Sequence, residues 1–414
     1  MRKLLSHLTT LTFLGAVSLG LAQEKTVLTV ASWSGNDALI ESVLPGFLEM
    51  HPDVEVQVVG GLGYGDYHPA LNNRLNSGTA EDVISLGNDV IVEYALGDFF
   101  ENLATAPDNA APSIYTQSQV ANATGPDGRI IAVPNDAGPT IMYYRTDLFE
   151  AAGLDINEVT SSWENYIAAG EILKEQGVYL SSGPGEVAGT VWSTNLPDGE
   201  GVYFDAEGNV LVGNERFLRG FTLGKQIRDA GIDVQSEIPG WTPEWFEAFG
   251  DSKIASIITG SWFETTLKTQ ADPEGSGRWG VAIPPENSTY INGGAYYGIN
   301  AASPNKELAW ELILYLTERE AQIAIFKQSG NFPANLTVLD DPAFSEPQEY
   351  FGGQAIYEVY REAASGQKPV PSNQNFALAQ SIVGASFDTV INEGADIEAA
   401  IAEAKSLIER RSSR

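Results

Sequence analysis

The chain has 414 residues, 43% apolar and 10% aromatic, which is material for two or three packed domains and excludes a disordered segment. Its 55 acidic residues against 23 basic ones give a formal net charge of −32, which excludes nucleic acid and an anionic membrane surface as partners. Cysteine is absent, so neither a disulfide nor a thiol-borne lipid anchor is available.

Arg2 and Lys3, the apolar run Leu11–Leu21 and the small-x-small sequence Gly20-Leu21-Ala22 have the form of a secretory signal peptide over 1–22. That run is too short to span a membrane, and no other apolar run approaches about 18 residues. The expectation is an exported, soluble, periplasmic monomer without membrane insertion.

Val27–Ala31 reads as a buried strand. A helix follows to Met50, capped by Asn36 or Asp37, with Leu39, Ile40, Val43, Leu44 and Phe47 on one face. Val54, Val56 and Val58 alternate in the next strand. This β-α-β unit predicts parallel strands with a right-handed crossover. The glycine-rich loop at 60–65 reads as a flexible rim. Asp82–Leu86 is a third strand, with Asn88 or Asp89 capping the helix after it. The alternation predicts an α/β fold. Arg129–Val133 and Thr140–Tyr144 are strands on either side of NDAGP, read as the first passage between two lobes.

Beyond it, Ser161 and Glu164 have the S-x-x-E form of a capping box, as do Ser261 and Glu264. A hairpin turn is predicted at 205–209, helices at 214–230 and 242–249, and strands at Ile254–Ile258 and Val281–Ile283. Asn292-Gly293-Gly294 is a turn, Ala295–Asn300 a buried strand, and Ser303-Pro304 the cap and first position of a helix. Leu308, Ala309, Leu312, Ile313 and Leu316 give that helix an apolar face. Amphipathic helices are predicted near 349–364, 377–391 and 397–410.

Catalytic signals are sparse. After the leader only His51 and His68 remain, and no metalloprotease, serine-hydrolase or P-loop motif occurs. No enzyme, metal or cofactor is expected. A secreted glycan-acting enzyme remains an alternative, because carboxylates are abundant. Of eight tryptophans, Trp163, Trp279 and Trp310 fall inside regular elements and read as core. Trp33 follows the first strand at its carboxyl end, where α/β sheets place ligands. Trp262 follows the strand at 254–258, and Trp192, Trp241 and Trp245 lie in or beside loops. Flat aromatics beside polar strand-end residues suit a sugar, whose C–H face stacks while its hydroxyls bond polar groups. Core packing and helix capping are the competing roles for each of these residues.

The stretch GINAASPNKELAWELILYLTERE (298–320) closely resembles a segment of the maltose-binding-protein-like solute-binding proteins of ATP-binding-cassette sugar importers. LTVASWSG (28–35), EDVISLGND (81–89), the segment 128–154, KIASIITGSW (253–262) and RWGVAIPP (278–285) agree with that family in order. The resemblance implies the two-lobed, type II periplasmic binding protein fold, with three crossings and a helical tail. Lobe one would be 23–135 plus 290–335 and lobe two 140–285 plus 340–414. The crossings would lie near 134–140, 284–292 and 334–340. It implies a neutral sugar or oligosaccharide ligand and a transmembrane permease as partner. Trp262 matches the family's stacking tryptophan, Asp89 a lobe-one carboxylate, Asn36 or Asp37 the first polar turn and Trp192 a lobe-two aromatic. Trp33, Trp241, Asp136, Gly294, Tyr296, Asn331 and Asn373 complete the expected ligand-binding set by position. Leu86 stands where the maltose binder has a stacking tryptophan, Gly138 near its hinge carboxylate and Ala379 near its late tryptophan, so the sugar is left open. A polyamine, suited to an acidic cleft, is the alternative ligand.

Overall fold

A computed structural model describes residues 25–105, 114–125, 127–365, 370 and 373–412. The predicted signal peptide at 1–22 lies outside the described residues. Eight strands form two sheets. They are β1 (Thr26–Ala31), β2 (Val54–Val59), β3 (Val83–Gly87), β4 (Ala132–Pro134), β5 (Thr140–Arg145), β6 (Ser256–Gly260), β7 (Trp279–Ala282) and β8 (Ala295–Ile299). The larger sheet has the order β2-β1-β3-β8-β4 and the smaller one β6-β5-β7.

The predicted β-α-β unit is present, with β1 and β2 parallel and Val30 opposite Val58. β8 runs antiparallel to both β3 and β4, placing Tyr296 opposite Leu86 and Pro134. β3 and β8 are buried along their whole length, as their unbroken apolar and small residues require of central strands. The late strand-helix unit thus completes a sheet begun more than two hundred residues earlier. Its helix, Lys306–Thr317, buries Ala309, Leu312, Ile313 and Leu316 in the same core as Leu28, Val30, Phe47 and Leu86.

Among the described residues, three further apolar clusters form. One gathers Tyr143, Trp245, Phe263, Trp279, Phe332 and Tyr360. A second gathers Met142, Trp163, Tyr166, Leu173 and Ile227. In the third, helices Phe376–Glu393 and Ile397–Ser412 press Phe387, Ile401 and Ile408 onto Trp192, Phe217 and Phe221. The helical tail is therefore structural cladding of lobe two. Trp163, Trp279 and Trp310 are all buried.

Several predicted caps are displaced. The helix Asn36–Met50 starts after Gly35, and the Asp37 carboxylate instead accepts the amides of Gly35, Ala38 and Gly61. Neither Asn88 nor Asp89 caps the short helix Ile91–Tyr94, which Val90 precedes. The helix Lys306–Thr317 begins after Asn305, while Ser303 donates to Asp82. Glu264 turns inward to Lys268 and Tyr357 rather than closing a box with Ser261. The Ser161–Glu164 box fails for a register reason. The helix Trp163–Glu175 starts one residue later than the motif suggests, so Ser162 meets the Asn165 amide at 3.1 Å while Ser161 donates to the Glu158 carbonyl. Ser162→Ala is expected to cost about 1 kcal/mol in urea unfolding, the ordinary worth of an N-cap, and Ser161→Ala less than half of that. Equal losses would restore Ser161 as the cap.

Candidate functional site

A cleft of about 1740 Å³ is lined by residues of both lobes and of the stretches that join them. The loop after β1 brings Trp33 and Asn36 to its wall. The end of β3 brings Asn88 and Asp89, the turn after β6 brings Trp262, and the turn before β8 brings Gly294. Carboxyl ends of adjacent parallel strands leave such a crevice because their helices diverge to opposite faces.

On the lobe-one side, Trp33 meets Tyr64 and Tyr67 edge-on, with ring centroids 5.1 and 5.6 Å apart. Asn36 is buried and donates to the hydroxyls of Ser32 at 2.8 Å and Ser85 at 3.3 Å, which fixes its amide. Asp89 accepts the Tyr64 hydroxyl. Asn88 accepts from Asn122 at 2.8 Å and from the Tyr296 hydroxyl at 2.9 Å. Tyr296 therefore stands behind Asn88, one layer away from the cleft. Asp136 lies on the cleft wall, and its carboxylate accepts the Ala295 amide. Burial pushes that carboxyl up to about 6, against the lowering effect of its backbone hydrogen bonds.

On the other side, Trp262 donates its indole Nε1–H to the Asn292 carbonyl at 2.9 Å. Trp241 stacks on it at 6.0 Å between centroids with a 26° tilt. Trp241 is 58% exposed and sits at φ +64, a left-handed conformation that a bulky residue adopts only under constraint. Trp192 also reaches the wall, yet most of its ring is stacked on Phe217 within the third cluster. Asn331 lines the cleft just past the helix Arg319–Ser329.

Of the residues expected from sequence, Trp33, Asn36, Asp89, Asp136, Trp192, Trp241, Trp262, Gly294 and Asn331 come together here. Asp37, Tyr296 and Asn373 do not line the cleft. Asp37 ties the loop at Gly61, and Asn373 accepts the Asn375 amide at 2.8 Å before the helix Phe376–Glu393. Asn88, expected as a helix cap, also lines the cleft, and so do Tyr64, Asn122, Tyr290 and Glu362, which were not singled out. Tyr64 follows the glycine loop and carried a signal there; Asn122 and Glu362 carried none.

The charge of the wall is one-sided. None of the described lining residues is Lys, Arg or His, while Asp89, Asp136, Asp198, Glu200 and Glu362 contribute carboxylates. Glu200 is paired with Arg216 at 3.1 Å. Among the described residues no group of His, Cys, Asp or Glu has the arrangement of a metal site, and no helix is long and apolar enough to cross a membrane.

Comparison with known proteins places this geometry. A lactose-binding protein of Rhizobium radiobacter is 24% identical over 348 residues, covering 81% of each chain. The sn-glycerol-3-phosphate-binding periplasmic protein UgpB of Brucella abortus is 20% identical over 95% of each. The solved structure of the sugar-binding protein MalE from Xanthomonas citri superposes with a TM-score of 0.77 at 18% identity, covering 94% of this chain and 98% of that one. The family described as bacterial extracellular solute-binding protein matches residues 46–352, about three quarters of the sequence. The chain belongs to the bacterial extracellular solute-binding protein family.

Proposed function

We propose that the protein captures a neutral sugar or oligosaccharide between its lobes, leaves it chemically unchanged, and delivers it to the transmembrane permease of an ATP-binding-cassette importer. It would do so as a periplasmic monomer. The observation that carries this reading is the Trp262–Trp241 stack on a wall of Asn and Asp side chains with no cation among the described lining residues. Stacked indoles take up a sugar's C–H face, and fixed amides and carboxylates take up its hydroxyls. A phosphate ester, named for the Brucella relative, would meet carboxylates in this wall and, among the described lining residues, no guanidinium or ammonium to offset its charge. The same carboxylates favour a cationic solute as the second reading.

The lobes we assign are 23–135 with 290–335 and 140–285 with 340–414. Closure would follow only from contacts that are better in the closed state than in the open one. Isothermal titration against lactose, maltose, galactose, arabinose, spermidine and sn-glycerol 3-phosphate tests the assignment. Saturable heat with a sugar is expected, with a fitted binding free energy of about 8 kcal/mol for micromolar affinity. Saturable heat with spermidine or glycerol phosphate alone would overturn it, and release of a shorter glycan by the purified protein would make it an enzyme.

A further inference from the structure

β6 ends at Gly260, and the next five residues touch two of the stretches that join the two lobes and the end of the helix that leads into the third. The Ser261 amide donates to the Pro139 carbonyl at 3.0 Å, in the stretch between β4 and β5. The Trp262 indole donates to the Asn292 carbonyl at 2.9 Å, in the stretch between β7 and β8. The Thr265 hydroxyl donates to the Ser329 carbonyl, where the helix Arg319–Ser329 ends and the chain approaches the third joining stretch, packing Phe332 and Val338 in the cluster of Phe263 and Tyr360.

The contacts are close as well as bonded. A Cβ on Gly260 would overlap the Asn292 carbonyl oxygen, so only glycine lets the second stretch pass there. A Cβ on Gly330 would stand 2.6 Å from the Glu264 carboxylate. The segment is also anchored firmly to lobe two. Glu264 accepts Lys268 at 2.5 Å, Tyr357 at 2.9 Å and Tyr360 at 3.3 Å. The Tyr143 hydroxyl lies 2.7 Å from that of Tyr360 and donates to the Ser261 carbonyl at 2.9 Å. A rigid anchor tethered to two joining stretches and to the approach of the third is what a hinge turns against.

We propose that Gly260–Thr265 is the bearing of the interlobe hinge, with Ser261, Glu264 and Thr265 as positioning residues that tie the Trp262 ring to the lobe angle. This rests on the reading that the cleft closes on a ligand. A solute stacked on Trp262 then bears directly on the peptide at Asn292, so occupancy and lobe angle are coupled through one side chain. Removing a tether leaves the ring in place and loosens the angle.

The test uses the unliganded protein, so a sugar titration that fails and a hinge that does not respond are separate results. The chain has no cysteine. Asn73→Cys and Glu175→Cys, at exposed helical positions of the two lobes, therefore give a single spin-labelled pair for pulsed dipolar spectroscopy. Trp262→Phe keeps an aromatic face without the N–H donor, and Thr265→Val keeps the shape without the hydroxyl. Each is expected to shift the mean interlobe distance and broaden its distribution, with the double variant displaced further. Thr265→Val, the smaller change, decides the matter if Trp262→Phe does not fold. Distributions that coincide with the parent's in variants with unchanged circular dichroism would overturn the proposal.

Discussion

Trp262→Ala is expected to weaken binding of the sugar at least about tenfold, or about 1.4 kcal/mol, measured by titration calorimetry on protein with unchanged circular dichroism. The size follows from how the ring is held. Its Nε1–H is satisfied by Asn292, one face lies against Trp241, and Phe263 meets it edge-on at 6.0 Å. A ring already fixed loses little freedom when a ligand stacks on it, so most of the contact energy appears as affinity. Alanine also withdraws the support under Trp241, which the left-handed backbone at that residue holds out over the cleft. Trp241→Ala should cost less than Trp262→Ala, because Trp241 is mostly exposed and its indole N–H is not tied to the joining stretch as that of Trp262 is. The double variant should fall short of the sum, as residues in contact do. Unchanged affinity in Trp262→Ala would remove the ring from the binding surface.

The larger features of the fold were legible because they depend on periodicity. Alternating valines at 54, 56 and 58 and the apolar face of the helix ending at Met50 leave few alternatives to a parallel β-α-β unit. The family resemblance then accounted for β8 joining a sheet so distant in sequence, which no local pattern would specify. Cap positions were the weakest reading. A hydroxyl or carboxylate near a helix start has several partners within reach, and a one-residue shift of register decides among them, as at Ser161 and Ser162. The site was legible where aromatic residues fell at strand ends, as with Trp33 and Trp262. It was not legible for Asn122 or Glu362, whose places on the wall depend on the tertiary path alone. Tyr296 illustrates the converse. Its position beside the turn placed it in the expected ligand-binding set, but its hydroxyl is used to hold Asn88.

Glu186 should make the protein more stable at pH 5 than at pH 8. Its carboxylate is enclosed where the helix Pro184–Ser193 meets β6, and it accepts the hydroxyls of Ser181 at 2.7 Å and Ser182 at 2.6 Å and the Ile258 amide at 3.2 Å. The Tyr166 phenol is the nearby titratable group, and burial pushes it well above its ordinary range, so it stays neutral. Burial raises the Glu186 carboxyl to about 7, and the three hydrogen bonds offset only part of that cost. The sign follows. The folded protein holds this proton to higher pH than the unfolded chain does, so the stabilisation is complete below the ordinary carboxylate value and is lost as pH rises through about 7. The swing comes to about 2 kcal/mol, reduced from the full shift because the residue keeps some surface. Asp136 contributes in the same direction, so the total slope does not isolate Glu186. Glu186→Gln does. The amide cannot ionise, and the variant loses about 1 kcal/mol at pH 5, where one donor must face an N–H group. At pH 8 it should match or exceed the parent, because the cost of the enclosed charge is gone. Urea unfolding at the two pH values measures both curves, and parallel curves would place the proton elsewhere. Function is engaged as well. Glu186 bonds the helix that carries Gly189 and Trp192 of the cleft wall to the strand that leads into Trp262.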